Sequence, residues 1–175
     1  MIDPERTYDY LAKSRARILG WSRGRSEAEW SREFPIGLGT LARTLTHVMI
    51  CEEFYVRRMR GETVPPYEQW PIKDEQPPRF EVIEREWGRI ETRTRETIAE
   101  ITSAGEWGRV MTYVVQQDDG KRVEISATKG DILTQLVLHE VHHRAQAMNI
   151  LRQLGGVKLE DIDFNTMMYT RRELA

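Results

Sequence analysis

Only one of the 175 residues is a cysteine, Cys51, which excludes an intrachain disulfide framework and fits a reducing compartment. An excess of charge of either sign is also missing, because 26 basic and 28 acidic side chains leave a formal net charge of −2. No large positive field exists to attract phosphate backbones or anionic lipid, so nucleic acid and membrane are set aside as partners. No apolar run is long enough to span a bilayer, and the start Met-Ile-Asp-Pro-Glu-Arg is charged where a signal peptide would be apolar. The expected location is the cytoplasm, although a mature secreted protein with its signal removed would read the same way.

What is present is enough to build a core. A composition with 39% hydrophobic residues over this length suits a single domain spanning residues 1–175. Pro4 fits the first turn of a helix, and Tyr8, Leu11, Ile18 and Trp21 recur at roughly helical spacing until Gly24. Pro35, Gly37 and Gly39 mark residues 25–39 as a linker, with a short helical turn near Glu27 to Arg32. Residues 40–60 carry no Pro or Gly and form a second long helix, after which Gly61, Pro65, Pro66, Pro71, Pro77 and Pro78 signal a long surface connection. Loops of this length often border a site, and Trp70 is the tryptophan placed to wall a pocket there. A third long helix covers 79–103, with Phe80, Ile83, Trp87, Ile90, Thr94, Ile98 and Ile101 along one stripe.

Strand signals are confined to Val110 to Gln116 and Arg122 to Ser126, which flank the turn sequence Asp118-Asp119-Gly120. They predict a small β-ribbon or an extended loop. Thr128 with Asp131 three residues later resembles a helix-capping pair, and the fourth long helix then runs to Gly155-Gly156.

The histidines carry the functional signal. His47 lies on the second long helix, and His139, His142 and His143 lie on the fourth. Advancing about 100° per residue from His139, His143 falls near 40°, inside the sector of Ile132, Leu136, Ile150 and Leu154. Two neutral imidazoles at i and i+4 bring their nitrogens together, and one metal ion satisfies both. His47 shares a wide apolar arc with Val48, Cys51, Phe54 and Tyr55, so it supplies a third nitrogen from the facing helix. Three imidazoles with open positions suit a catalytic zinc site, and the donor set also admits nickel, iron or cobalt. His142 falls near −60°, on the polar side, and is left outside the ligand set. Cys51, one turn after His47, reads as a small buried thiol packed between helices.

Glu140 falls near 100° and Arg144 near 140°, both within the apolar sector, so each needs a partner. Glu140 reads either as half of an i,i+4 ion pair with Arg144, or as a base or a group orienting a ligand. Glu52 on the second long helix invites the same two readings, with the structural one favoured.

His139-Glu140-Val141-His142-His143 matches the H-E-x-x-H string of zinc peptidases. That reading needs a sheet beside the helix and a third ligand downstream, whereas the best third ligand lies upstream. The fuller string, continuing through Arg144-Ala145-Gln146 and Leu151-Arg152-Gln153-Leu154-Gly155, resembles the DinB family of metalloenzymes. Leu45-Thr46-His47 and the tail Asp161-Ile162-Asp163-Phe164 extend the resemblance over roughly residues 5–170. It implies an up-down-down-up four-helix bundle, commonly a homodimer, with zinc or nickel on three histidines, here His47, His139 and His143. Ala145 departs from the Gly often found there, which bears on helix packing. The resemblance further implies a metal-dependent thiol S-transferase that couples a low-molecular-weight thiol to an electrophilic small molecule. A metal-dependent hydrolase and a non-catalytic metal-binding stress-response bundle are the alternatives.

Overall fold

The computed structural model describes residues 3–116 and 120–172 and is mostly helical. Its helices are α1 (Pro4–Ser22), α2 (Glu27–Trp30), α3 (Leu41–Arg60), α4 (Phe80–Ala104), α5 (Lys129–Leu154) and α6 (Phe164–Met168). Three of the long helices begin where a side chain can accept from an otherwise unpaired N–H of the first turn. Asp3 accepts from Arg6 at 3.1 Å, Thr40 from Arg43 at 3.0 Å, and Thr128 from Asp131 at 3.0 Å. Asp131 returns the favour to the Thr128 N–H at 2.9 Å, completing the anticipated capping pair. α3 and α4 stop at Gly61 and Gly105, whose φ values of 71° and 66° are left-handed.

Val110–Gln116 (β1) and Arg122–Thr128 (β2) form the ribbon, with Val110 opposite Thr128 and Gln116 opposite Arg122. β2 runs two residues past the expected end at Ser126, because Thr128 both closes the ladder and caps α5. The turn residues Asp118 and Asp119 lie outside the described residues. The ribbon sits beside α5 and leans on α3, where the Arg58 guanidinium stacks 3.7 Å from the Tyr113 ring centroid. It is the sole sheet among the described residues, and no central sheet lies against α5 as the peptidase reading requires. The five-residue α6, too short to show a period, packs Phe164 edge-on to Tyr10 at 5.0 Å.

α3 packs against α5 and α4, and α1 packs against the same two helices. The core has two apolar clusters, one with Ile18, Leu45, Val48, Ile83 and Ile150, the other with Leu11, Val56, Ile98, Ile132 and Leu136. α1 and α5 run from the second cluster to the first, while α3 and α4 run the opposite way. Between the clusters each long helix contributes a buried polar residue: Arg15, Glu52, Thr94 and Glu140. Among the described residues no helix is long and apolar enough to cross a membrane.

Candidate metal centre

α3 and α5 are neighbours, and they bring the three predicted histidines together. Ring centroids lie 4.5 Å apart for His139 and His143, 4.8 Å for His47 and His143, and 5.0 Å for His47 and His139. His47 Nε2 and His139 Nε2 face each other at 3.1 Å. A tetrahedral zinc ion with Zn–N of about 2.0–2.1 Å would separate neighbouring nitrogens by roughly 3.3 Å, so this spacing fits a shared cation.

The tautomer of His47 follows from its other nitrogen. Nδ1 lies 2.8 Å from Asp74 Oδ2, and a carboxylate can only accept, so the proton sits on Nδ1 and Nε2 presents its lone pair. Asp74 belongs to the Pro-rich connection and is itself fastened, its Oδ1 by the Tyr67 hydroxyl, which in turn accepts the Asp74 backbone N–H at 3.1 Å. Burial opposes ionisation of Asp74, but the hydrogen bonds from Tyr67 and His47 prevail and hold its pKa below the usual carboxylate range. A 3₁₀ turn at Tyr67–Gln69 shapes this segment. Trp70 walls a cavity of about 120 Å³ with Met49, Ile50 and Ile72, as its place in the loop suggested.

His143 is oriented by Gln146, whose Oε1 lies 2.9 Å from His143 Nδ1, leaving Nε2 free. The amide nitrogen of Gln146 reaches His142 Nε2 at 2.9 Å, and His142 is exposed. Gly37 makes room for this amide, since a Cβ there would collide with Gln146 Oε1, and its φ of 51° disfavours other residues. Burial, with the neighbouring His143, His47 and His142, pulls the His139 pKa down to about 3. Burial lowers that of His143 as well. Both rings are therefore neutral at physiological pH.

Cys51, read from sequence as packing, places Sγ 3.6 Å from His47 Nε2. His47, Cys51 and His139 form the group whose donor atoms all lie within 4.8 Å of one another. His143 packs its ring against both histidines but stands outside that group. Burial first, then the Asp74 charge, pushes the Cys51 thiol up to about 12.

Glu140 is buried as its helical angle predicts, at 3% exposure, but its partner is not Arg144. Arg15 of α1 donates from Nε to Oε1 at 3.2 Å and from Nη2 to Oε2 at 2.8 Å. A guanidinium from the facing helix engages both carboxylate oxygens in parallel, a geometry that outcompetes a neighbour on the same helix. Arg144 turns instead to the Tyr10 hydroxyl at 2.5 Å. Arg15 also reaches Glu52 at 2.8 Å, and Glu52 is fully satisfied by Tyr8, by Thr94 at 2.8 Å and by Trp87 at 2.7 Å. Burial and the nearby Glu52 charge raise the Glu140 pKa against the pull of Arg15.

Asp74 and Gln146 escaped the sequence reading as parts of the site. Gln146 carried a signal, three residues after His143 on the same helix, whereas a loop carboxylate has no period to reveal it. Loss of the Asp74 charge should free His47 to rotate. Asp74→Asn is expected to weaken zinc binding roughly 10- to 100-fold with the fold intact, measured by competition with a chromophoric chelator. An unchanged affinity would remove Asp74 from the centre.

No curated protein matches this chain. The family model described as DinB family matches residues 1–173 of the 175. Fold elements, the facing histidines and this near-complete match lead to one assignment: the chain belongs to the DinB family.

Proposed function

We propose that the protein is a metal-dependent thiol S-transferase in which His47, His139 and His143 hold one divalent ion, zinc or nickel, within an up-down-down-up four-helix bundle. The observation that carries this is the convergence of three imidazole rings, with the Nε2 atoms of His47 and His139 at 3.1 Å. Opposite passage of α1 and α5 against α3 and α4 through the two clusters supports the bundle order. The homodimer belongs to the same reading and rests on the resemblance, whereas the cytoplasmic location rests on the single cysteine and the lack of a long apolar run.

A bound divalent ion supplies Lewis acidity that favours the thiolate form of a small thiol at neutral pH. The chain does the positioning. Asp74 fixes the His47 tautomer, Gln146 fixes that of His143, and the half-buried site limits water around the incoming thiol. Tyr55, 5.8 Å from the His139 ring, forms part of the wall.

Glu140 is assigned to the core and not to proton transfer, because Arg15 occupies both of its oxygens. Glu140→Gln should therefore leave metal content and turnover per folded molecule unchanged while lowering stability by about 1.5–3 kcal/mol, the worth of charged hydrogen bonds. A fall in turnover of roughly 10²- to 10⁴-fold at full metal occupancy would restore it as a base.

The deciding experiment is metal analysis of protein purified without added metal, followed by a screen of small thiols against electrophiles. Thiol-dependent loss of the electrophile that requires the metal supports the transferase. Metal-dependent cleavage without thiol would favour the hydrolase, and a loaded but inert protein the non-catalytic bundle.

A further inference from the structure

The position of Cys51 is not explained by packing alone. Its Sγ lies 3.6 Å from His47 Nε2 and 4.0 Å from His47 Nδ1, so the sulfur approaches the nitrogen that points into the centre more closely than the one that faces Asp74. A tetrahedral zinc with Zn–N of about 2.0–2.1 Å and Zn–S of about 2.3 Å would hold sulfur and nitrogen roughly 3.5 Å apart. The sulfur therefore stands at ligand spacing from a histidine that is itself at ligand spacing from His139. The i, i+4 relation of His47 and Cys51 on α3 mirrors that of His139 and His143 on α5, and His47, Cys51 and His139 already bring their donor atoms within 4.8 Å of one another, with the His143 ring packed beside them.

We propose that Cys51 is a direct ligand, so that the cation is held by His47, Cys51 and His139 with His143 as the fourth donor. The proposal rests on the metal-centre reading above and adds sulfur to it. On binding, the S–H proton passes to solvent and the sulfur pair is donated to the ion, with no change of oxidation state. One thiolate and three imidazoles form a tetrahedral set for zinc or cobalt(II), and thiolate disfavours magnesium, calcium and manganese, which prefer oxygen. A nitrogen from His143 would complete the tetrahedron. A small-molecule ligand can then reach the ion only by displacing a donor or by adding a fifth.

The test uses the full chain, stripped of metal, freed of added thiols and titrated with cobalt(II). Cys51 is the sole cysteine, so any thiolate-to-cobalt charge-transfer band in the near ultraviolet must come from it. The expected result is one cobalt per chain, tetrahedral d–d bands, and a charge-transfer band that disappears in Cys51→Ala while the visible bands persist. Cobalt and zinc affinity should fall in that variant by more than the roughly 10- to 100-fold typical of losing an outer partner. Stoichiometric uptake by the unmodified protein with visible bands and no charge-transfer band would overturn the Cys51 assignment and leave the histidine centre standing. No uptake at all would overturn both. The spectrum of the unmodified protein decides the matter, so poor folding of Cys51→Ala would not leave it open, and Cys51→Ser provides a second variant of similar size.

Discussion

Replacing His139 with alanine is expected to abolish stoichiometric binding of zinc or nickel, with affinity falling by more than about 100-fold, beyond what loss of an outer hydrogen-bond partner produces. His139 is central to the cluster: its Nε2 faces His47 Nε2 at 3.1 Å, and its ring lies 4.5 Å from that of His143. Its proton is already displaced, with a pKa drawn down to about 3, so metal binding at neutral pH meets no competition from protonation at this ring. The side chain is only half-buried, and the metal-free variant should keep the stability of the metal-free parent within about 1 kcal/mol. Metal analysis after dialysis, set beside urea denaturation of both metal-free proteins, separates the two effects. Retention of one tightly held ion per chain would defeat the site assignment. His143→Ala sharpens the result: a comparable loss makes His143 a ligand, and unchanged affinity leaves His47, Cys51 and His139 as the donors.

Arg15→Met is expected to be the most damaging core substitution, costing about 3–5 kcal/mol, because it leaves buried carboxylates without their cation. Arg15 bridges Glu52 and Glu140 at 2.8 Å each, and the three side chains are 3%, 2% and 5% exposed. The loss should depend on pH. Burial, then the Glu52 charge, raises the Glu140 pKa in the fold, and Arg15 opposes that rise. Such a group binds more protons folded than unfolded, so its contribution is fully present below the unfolded pKa and is lost as pH rises through the folded one. Without Arg15 the folded value climbs further, and protonation rescues more stability in acid. Urea denaturation should therefore show a smaller deficit near pH 5 than near pH 8, relative to the parent protein. An equal deficit at both values, or one below about 1 kcal/mol, would mean that the carboxylates find other compensation.

Much of the architecture was legible because helices announce themselves by period and by caps. The 3.6-residue recurrence located α1 and α4, the lack of Pro and Gly over residues 40–60 located α3, and the Thr128 and Asp131 pair located the start of α5 to the residue. The same arithmetic placed His47, His139 and His143 on facing sectors. What it could not see was contact between residues distant in sequence and lacking a shared period. Asp74 sits in a proline-rich connection, and Arg15 is 125 residues from Glu140, so the ion-pair partner that helical spacing offered for Glu140 was the same-helix Arg144. Cys51 was read in the right arc, yet its distance from the His47 nitrogen depends on side-chain rotation that spacing does not encode.

The polar layer has a consequence for how the donors come to be aligned. Glu52 lies five residues beyond His47 on α3, and Glu140 directly follows His139 on α5, so one guanidinium grips both histidine-bearing helices beside their imidazoles. Sliding α3 past α5 by a single turn, about 5.4 Å, would strand a charged group in the apolar interior and would also carry His47 out of reach of His139. Apolar ridges tolerate such slippage far better than ions do. Arg15 thus works as a locating pin: the lengthwise setting that buried charge enforces is the one that brings the imidazoles of the two helices face to face.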